Sequence, residues 1–358
     1  MVEISLCMIV KNEEDVIGRC LDSVADLVDE IIVVDTGSSD RTVEIAKQYT
    51  GKIFFFPWVD DFSAARNFSF SKATKEYIFW LDADDVLLEK DRTAFRALKE
   101  SLTPDISMVM MRYDIAFDAA GKPTFYYYRE RLLRRDMDYR WVGPIHEVIT
   151  PSGKIRHEEI AVTHRKIKAH DPDRNIRIFE NMIAKGQALD KRQAFYYVRE
   201  LRDHQRYADA VPLLYGIIED ELTWIENRID ACRVLADCLS CLNKDTEALQ
   251  ALMQSFRFDA PRAEVCCQIG KWFMKKENYR VSAFWYEQAR AQIPNLKRGG
   301  FCEPDCYGYI PCIQLCVCYD RMGMHEKARE YNKEAARWKP DDPAVLFNEQ
   351  YFSRLLPG

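Results

Sequence analysis

In the stretch FWLDADDVLL, residues 79–88, a run of apolar and aromatic residues ends in three carboxylates within four positions, Asp82, Asp84 and Asp85, before apolar residues resume. Carboxylates this close at the end of a buried strand repel one another and lose hydration unless a cation or hydrogen-bond donors compensate them. Either the segment is a solvated turn or something positive belongs there. A divalent cation on Asp84, with Asp82 reaching ribose or sugar hydroxyls, would relieve the charge and grip a diphosphate. Hard oxygen donors favour Mg2+ or Mn2+.

Two other stretches supply polar groups of the same kind. VVDTGSSDRT sets Asp35 at a strand end, followed by a turn in which Ser38, Ser39 or Asp40 caps a helix. Its carboxylate can accept hydrogen bonds from a base or ribose edge, or simply close the turn. PWVDDFSAARNFS gives a second capped helix with Arg66 and Asn67 near its first turns. The Arg66 fork matches two phosphate oxygens, and equally a surface salt bridge.

The elements that must position these groups alternate. EISLCMIV, EIIVVD, KIFFFPW and EYIFWLDADD read as strands, separated by helical patterns at 15–27, 40–49 and after the tryptophan of PWVDD. Such alternation predicts a mainly parallel sheet covered by helices, with ligands at the carboxyl ends of the strands. Lys11 and Asn12, Asp35, and Asp82 to Asp85 all fall there.

From about Gln193 the text becomes helical and repeats. In ADAVPLLYGII, TEALQALMQSF, VSAFWYEQARA and EKAREYNKEAA small residues recur at Ala210, Ala248, Ser282 and Ala328, and Pro261, Pro294 and Pro340 close the last three units. A period near 34 with small residues where two helices cross resembles tetratricopeptide repeats. The longer last spacing predicts an insertion over 294–308. The expected division is 1–170, a linker helix over 171–192 and repeats over 193–358, with the polar, proline-broken residues 151–173 at the edge.

With 358 residues, 47% hydrophobic and 30% charged, the chain has the composition of a globular protein large enough for two cores. A formal net charge of −6 argues against nucleic acid as the general partner. No apolar run reaches the ~18 residues of a membrane span and no export signal is read, so a cytoplasmic location is expected. The twelve cysteines are then expected as reduced, helix-packing thiols. Cys238 and Cys241 have zinc-type spacing but lack a second such pair.

MIVKNEE, VVDTGSSDRT, DFSAARN and FWLDADD, in this order and with helix-sized gaps, resemble the family 2 glycosyltransferases over about residues 3–90. The resemblance implies a GT-A fold, a Rossmann-like αβα sandwich, making the whole chain α/β plus all-α. It implies that the backbone after Val10 and the side chains of Asn12 and Glu14 border the nucleotide, that Asp35 meets the uracil or ribose, and that Arg66 neighbours the diphosphate. Asp82 and Asp84 are similar to the family's Asp-x-Asp pair, Asp84 being the direct metal ligand and Asp85 a structural or sugar-side contact. An inverting transfer from a UDP-sugar, with Mn2+ or Mg2+ offsetting charge on the leaving diphosphate, would follow.

Such a transfer needs a base on the far face of the sugar. In YRWVGPIHEVI, Glu147 is the candidate for base or acceptor contact, with His146 as its orienter or a metal ligand. His164 in VTHRK is the alternative third ligand, or an ordinary strand histidine. Arg129, Arg131, Arg134 and Arg135 could face a diphosphate or an acidic acceptor, with a solvated face the simpler reading. A family 2 domain fused to repeats resembles bacterial transferases that glycosylate peptides, including cysteine-directed ones. The acceptor implied is a Ser, Thr or Cys side chain held partly by the repeats, which could also serve a homodimer. A saccharide or lipid-linked acceptor, and a catalytically dead scaffold, remain the alternatives.

Overall fold

The computed structural model describes residues 1–118, 121–167, 171–294 and 300–356. Two compact units divide the chain, residues 1–189 and 190–358. No helix among the described residues is long and apolar enough to cross a membrane.

The first unit is built on an eight-stranded mixed sheet. Its strands are β1 (Ile4–Val10), β2 (Glu30–Asp35), β3 (Ile53–Phe55), β4 (Tyr77–Trp80), β5 (Asp85–Leu87), β6 (Met108–Phe117) and β7 (Pro123–Arg134). After a small hairpin of β8 (Trp141–Val142) and β9 (Val148–Ile149), the sheet's last strand is β10 (Ile155–His164). The order is β3-β2-β1-β4-β7-β6-β10-β5. As the alternation predicts, the first four strands are mutually parallel. The later part is mixed: β7 runs antiparallel to both β4 and β6, and β5 antiparallel to β10.

Alternation along β1 shows why both sheet faces need cover. Ile4, Leu6, Met8 and Val10 enter a core with α1 (Ile17–Asp22) and α4 (Glu89–Ser101). Cys7 instead joins Ile32, Val34, Ile78 and Trp80 beneath α3 (Phe62–Phe70). Between α1 and α3, α2 (Thr42–Ala46) follows β2, and α5 (Arg174–Ala184) closes the unit with Phe179 buried. Helix α5 falls inside the stretch read from sequence as a linker.

At the far end of β2 the carboxylate of Glu30 has a buried side chain that accepts from Ser5, Lys52 and both donors of Thr74. Burial works against its charge, but Lys52 and these donors outweigh it and hold the pKa at about 2. A depressed carboxylate contributes stability that is present above its unfolded pKa and lost as pH falls through the folded one. Glu30→Gln should therefore cost about 3 kcal/mol at pH 7, at 1.36 kcal/mol per pKa unit. Urea unfolding should show the wild type losing that margin between pH 4.5 and 2, while the variant, already without it, loses less.

Among its described residues the second unit is four helix pairs and a final helix. They are α6 (Lys191–Asp203) with α7 (Tyr207–Glu219), α8 (Ile225–Cys241) with α9 (Asp245–Gln254), and α10 (Ala263–Lys275) with α11 (Tyr279–Ala291). The last pair is α12 (Tyr309–Arg321) with α13 (His325–Trp338), followed by α14 (Pro343–Leu355). The small residues Ala210, Ala248, Ser282 and Ala328 all lie in second helices and are at most 1% exposed, which leaves no room there for a larger side chain. Part of the expected insertion, residues 295–299, lies outside the described residues. All twelve cysteines are free thiols; Cys241 is exposed and the others are buried.

Each pair turns the same way. Gln205, Asn243, Glu277 and Gly323 occupy the left-handed region at φ 59°, 60°, 58° and 76°. The next N–H then bonds back to the first helix, from Arg206 to Leu201, Lys244 to Leu239, Asn278 to Phe273 and Met324 to Tyr319, at 2.8–3.0 Å. This is a Schellman-type stop, for which glycine carries no Cβ penalty. Only the fourth turn has it. Exposed Glu277 bears about 1–2 kcal/mol of left-handed strain, against about 0.4–1 kcal/mol of unfolded-state entropy that glycine adds. Glu277→Gly should raise the melting temperature of the second unit by a few degrees, measured by calorimetry.

Candidate active site

The carboxyl ends of β1, β2 and β4 share one edge, since Val10 pairs with Asp35 and Cys7 with Trp80 in parallel register. There the loops after β1 and β2 interlock. The Asp35 carboxylate accepts from the N–H groups of Gly37 and Ser38, and the Val10 carbonyl accepts from Thr36. Asn12, itself at φ 56°, accepts through Oδ1 from the Ser39 N–H at 2.8 Å, and Glu14 accepts from the Arg41 N–H at 3.1 Å. Val10, Asn12, Glu14 and Asp35 thus stand together at the sheet edge, with their polar groups fixing the two loops. Beside them lies a small pocket lined by Asn12, Asp15, Asp84 and Lys166.

The acidic cluster splits by depth. The Asp85 N–H closes a turn on the Asp82 carbonyl, so the three side chains point to different partners. Asp85 is fully buried: its Oδ2 accepts from the Asp82 N–H and from Arg131 Nη1, both at 3.1 Å. Asp84 is nearly buried, with Oδ1 3.3 Å from His164 Nδ1. Because β5 pairs with β10, His164 stands opposite Asp85 and its Nδ1 is also 3.3 Å from Asp85 Oδ1 and 3.0 Å from the Tyr113 hydroxyl. Burial alone would lower the imidazole pKa, but the two carboxylates outweigh it and push it up to about 10.

Among the described residues, Asp84, Asp85 and His164 form the group spaced to hold a metal ion, their ligand atoms all within 4.8 Å of one another. The sequence-based set was Asp84, Asp82 and His164. The structure brings Asp84 and His164 together but turns Asp82 toward Arg66, and places Asp85 in the third position. Two carboxylates and an imidazole fit a hard or borderline divalent cation.

Arg66 is buried on α3 between the rings of Trp80 and Trp141, with its guanidinium 5.0 and 4.9 Å from their centres. Nη2 donates to Asp82 Oδ1 and Nε to Glu147 Oε1, each at 2.6 Å. The fork read as a diphosphate contact is thus filled by two carboxylates. Burial opposes ionisation of Asp82, yet Arg66 and Arg131 prevail and its pKa is lowered. Next to Arg66, Asn67 exchanges two 2.9 Å hydrogen bonds with the backbone of Trp141, and the Pro144 carbonyl accepts from Phe62 at the start of α3. These bonds fix the segment 141–147 against α3 and so carry Glu147 to the site. His146, at φ 50°, turns away and stacks on Phe179, centres 6.3 Å apart.

Sequence reasoning missed three groups. Arg131, read with its neighbours as a solvated face, is fully buried between Trp80 and Tyr113. Arg129 likewise packs on Trp80 and pairs with buried Glu130, whereas Arg134 and Arg135 are half-buried and exposed. Tyr113 and Lys166 carried no motif; Lys166 could have been flagged as a basic residue two places after His164.

Residues 5–161 match the model of the glycosyl transferase family 2. A TPR repeat-containing protein of Synechococcus elongatus is 40% identical over 153 residues, 42% of this chain and 36% of that protein. An uncharacterized glycosyltransferase of Rickettsia typhi is 38% identical over 90 residues, 25% of this chain and 30% of that protein. The SPbeta prophage-derived glycosyltransferase SunS of Bacillus subtilis is 27% identical over 248 residues, 65% of this chain and 57% of that protein. The chain therefore spans about a third of the first two relatives and little more than half of the third.

Proposed function

We propose that the chain, whose residues 5–161 match the glycosyl transferase family 2 model and whose helix pairs resemble tetratricopeptide repeats, moves a sugar from a UDP-sugar to a Ser, Thr or Cys side chain of a peptide or protein held partly by the repeats. The observation that carries this reading is the Asp84–Asp85–His164 cluster at the carboxyl edge of the parallel strands, beside the pocket that Asn12 and Lys166 line. Repeat surfaces of this type suit extended peptides.

Asp84 and His164 would hold Mn2+ or Mg2+, with Asp85 beneath them paired to Arg131. When bound, that ion supplies charge stabilisation to a departing diphosphate. Lys166 and Asn12 border the donor pocket. Asp82, fixed by Arg66, offers its second oxygen to ribose or sugar hydroxyls. Glu147, held through Oε1 by the same arginine, takes the acceptor's proton on its other oxygen as the new bond forms. Arg66 thus sets the spacing between the donor-side and acceptor-side carboxylates.

Incubating the protein with Mn2+ and a panel of UDP-sugars, and measuring donor hydrolysis and nucleotide binding, tests the reading. Metal-dependent binding of one donor is expected. Absence of donor binding under every condition would favour a scaffold that acts through its repeats alone.

A further inference from the structure

The insertion between α11 and α12 lays its described part across the first helices of three successive pairs. The Phe301 ring lies 4.6 Å from the Arg199 guanidinium of α6. Glu303 pairs with Arg233 of α8 at 2.6 Å, and its backbone N–H donates to buried Glu264 of α10 at 3.0 Å. Cys302 between them is buried. At Gly300 the backbone comes so close to α8 that an added Cβ would stand 2.9 Å from Glu226 Oε2.

The arginines of this face are already organised by the helices themselves, while buried Glu264 takes donors from the insertion, the Glu303 N–H and the Tyr307 hydroxyl. Arg199 and Arg233 both pair with Asp230, Arg233 also donates to Gln268 at 3.0 Å, and Gln268 donates to Asp237 at 3.1 Å. Glu303 is an additional carboxylate on an arginine that already pairs with Asp230 and donates to Gln268. A surface ordered in advance, met by an extended backbone with an aromatic residue and a carboxylate two positions later, has the form of a peptide site with its ligand seated.

We propose that this face of α6, α8 and α10 binds an extended peptide carrying an aromatic residue followed two positions on by an acidic one, and that residues 300–303 occupy it as an intramolecular competitor. The inference rests on the reading that the repeats hold a peptide, and it is tested without any donor, so that its failure leaves the transfer reading untouched. A competitor seated nine-tenths of the time weakens apparent affinity about tenfold.

The test uses the full chain under reducing conditions and a fluorescent hexapeptide, Gly-Phe-Cys-Glu-Pro-Asp, copying residues 300–305. By anisotropy, the double variant Phe301→Ala/Glu303→Gln should bind it about tenfold more tightly than the wild type. Arg233→Met in that background should remove the gain, and a scrambled peptide should not bind. Equal affinity of wild type and double variant would overturn the proposal. Hydrogen exchange on the wild-type chain gives a second reading that needs no variant. The Glu303 amide should exchange faster than interior amides of α8 and α10, and faster still with excess hexapeptide. Protection equal to those helices and unmoved by peptide would make the segment a fixed part of the fold and end the proposal.

Discussion

Asp84→Ala should abolish sugar transfer, lowering turnover by about 10³-fold or more, as expected when charge stabilisation of a leaving group is lost. The same substitution should leave the fold intact. Asp84 stands among like charges, and its removal relieves repulsion with Asp85 while His164 keeps Asp85 and Tyr113 as partners. Calorimetric titration with Mn2+ should show binding in the wild type and none in the variant, with near-equal melting temperatures. Glu147→Gln supplies the contrast: it should retain Mn2+ and UDP binding and lose turnover, because its role is on the acceptor side. Wild-type turnover in Asp84→Ala would count directly against the cluster as the catalytic centre.

The second large effect is on stability. Arg131 and Asp85 are both fully buried, 3.1 Å apart, and Arg131 Nε and Nη2 have no hydrogen-bond partner among the described residues. The guanidinium is kept by its pairing and by the Trp80 and Tyr113 rings, 3.8 and 4.4 Å away. Removing one member of such a pair leaves an uncompensated buried charge and costs about 3–5 kcal/mol. Arg131→Met should therefore lower the melting of the first unit sharply, while the helical unit keeps its own transition. Removing both charges is far less costly, so Arg131→Met/Asp85→Asn should recover much of the loss in a double-mutant cycle. A single variant as stable as wild type would show that the pair contributes little.

Much of the first unit was legible because its signals are local. Four apolar runs with helix-sized gaps gave the parallel strands, and the strand ends named Asn12, Asp35 and the acidic cluster. The repeats were legible for the same reason: Ala210, Ala248, Ser282 and Ala328 mark helix crossings by size alone. Strand order was not legible. RERLLR reads as an amphipathic surface, yet β7 lies between β4 and β6 and carries Arg131 into the interior beside a carboxylate 46 residues earlier in the chain. Arg66 was found as a residue but not in its setting, since its partners are 16 and 81 residues away. The short β5, antiparallel to β10, decided that Asp85 rather than Asp82 stands beside Asp84 and His164. A three-residue strand has no periodicity to read.

Anomalous diffraction from crystals soaked with Mn2+ and UDP addresses the central claim most directly. A manganese peak is expected against Asp84 and His164, with the UDP phosphates upon it and the base toward the loops of Asn12 and Asp35. Manganese bound away from that cluster, or UDP ordered with no metal near Asp84, would contradict it.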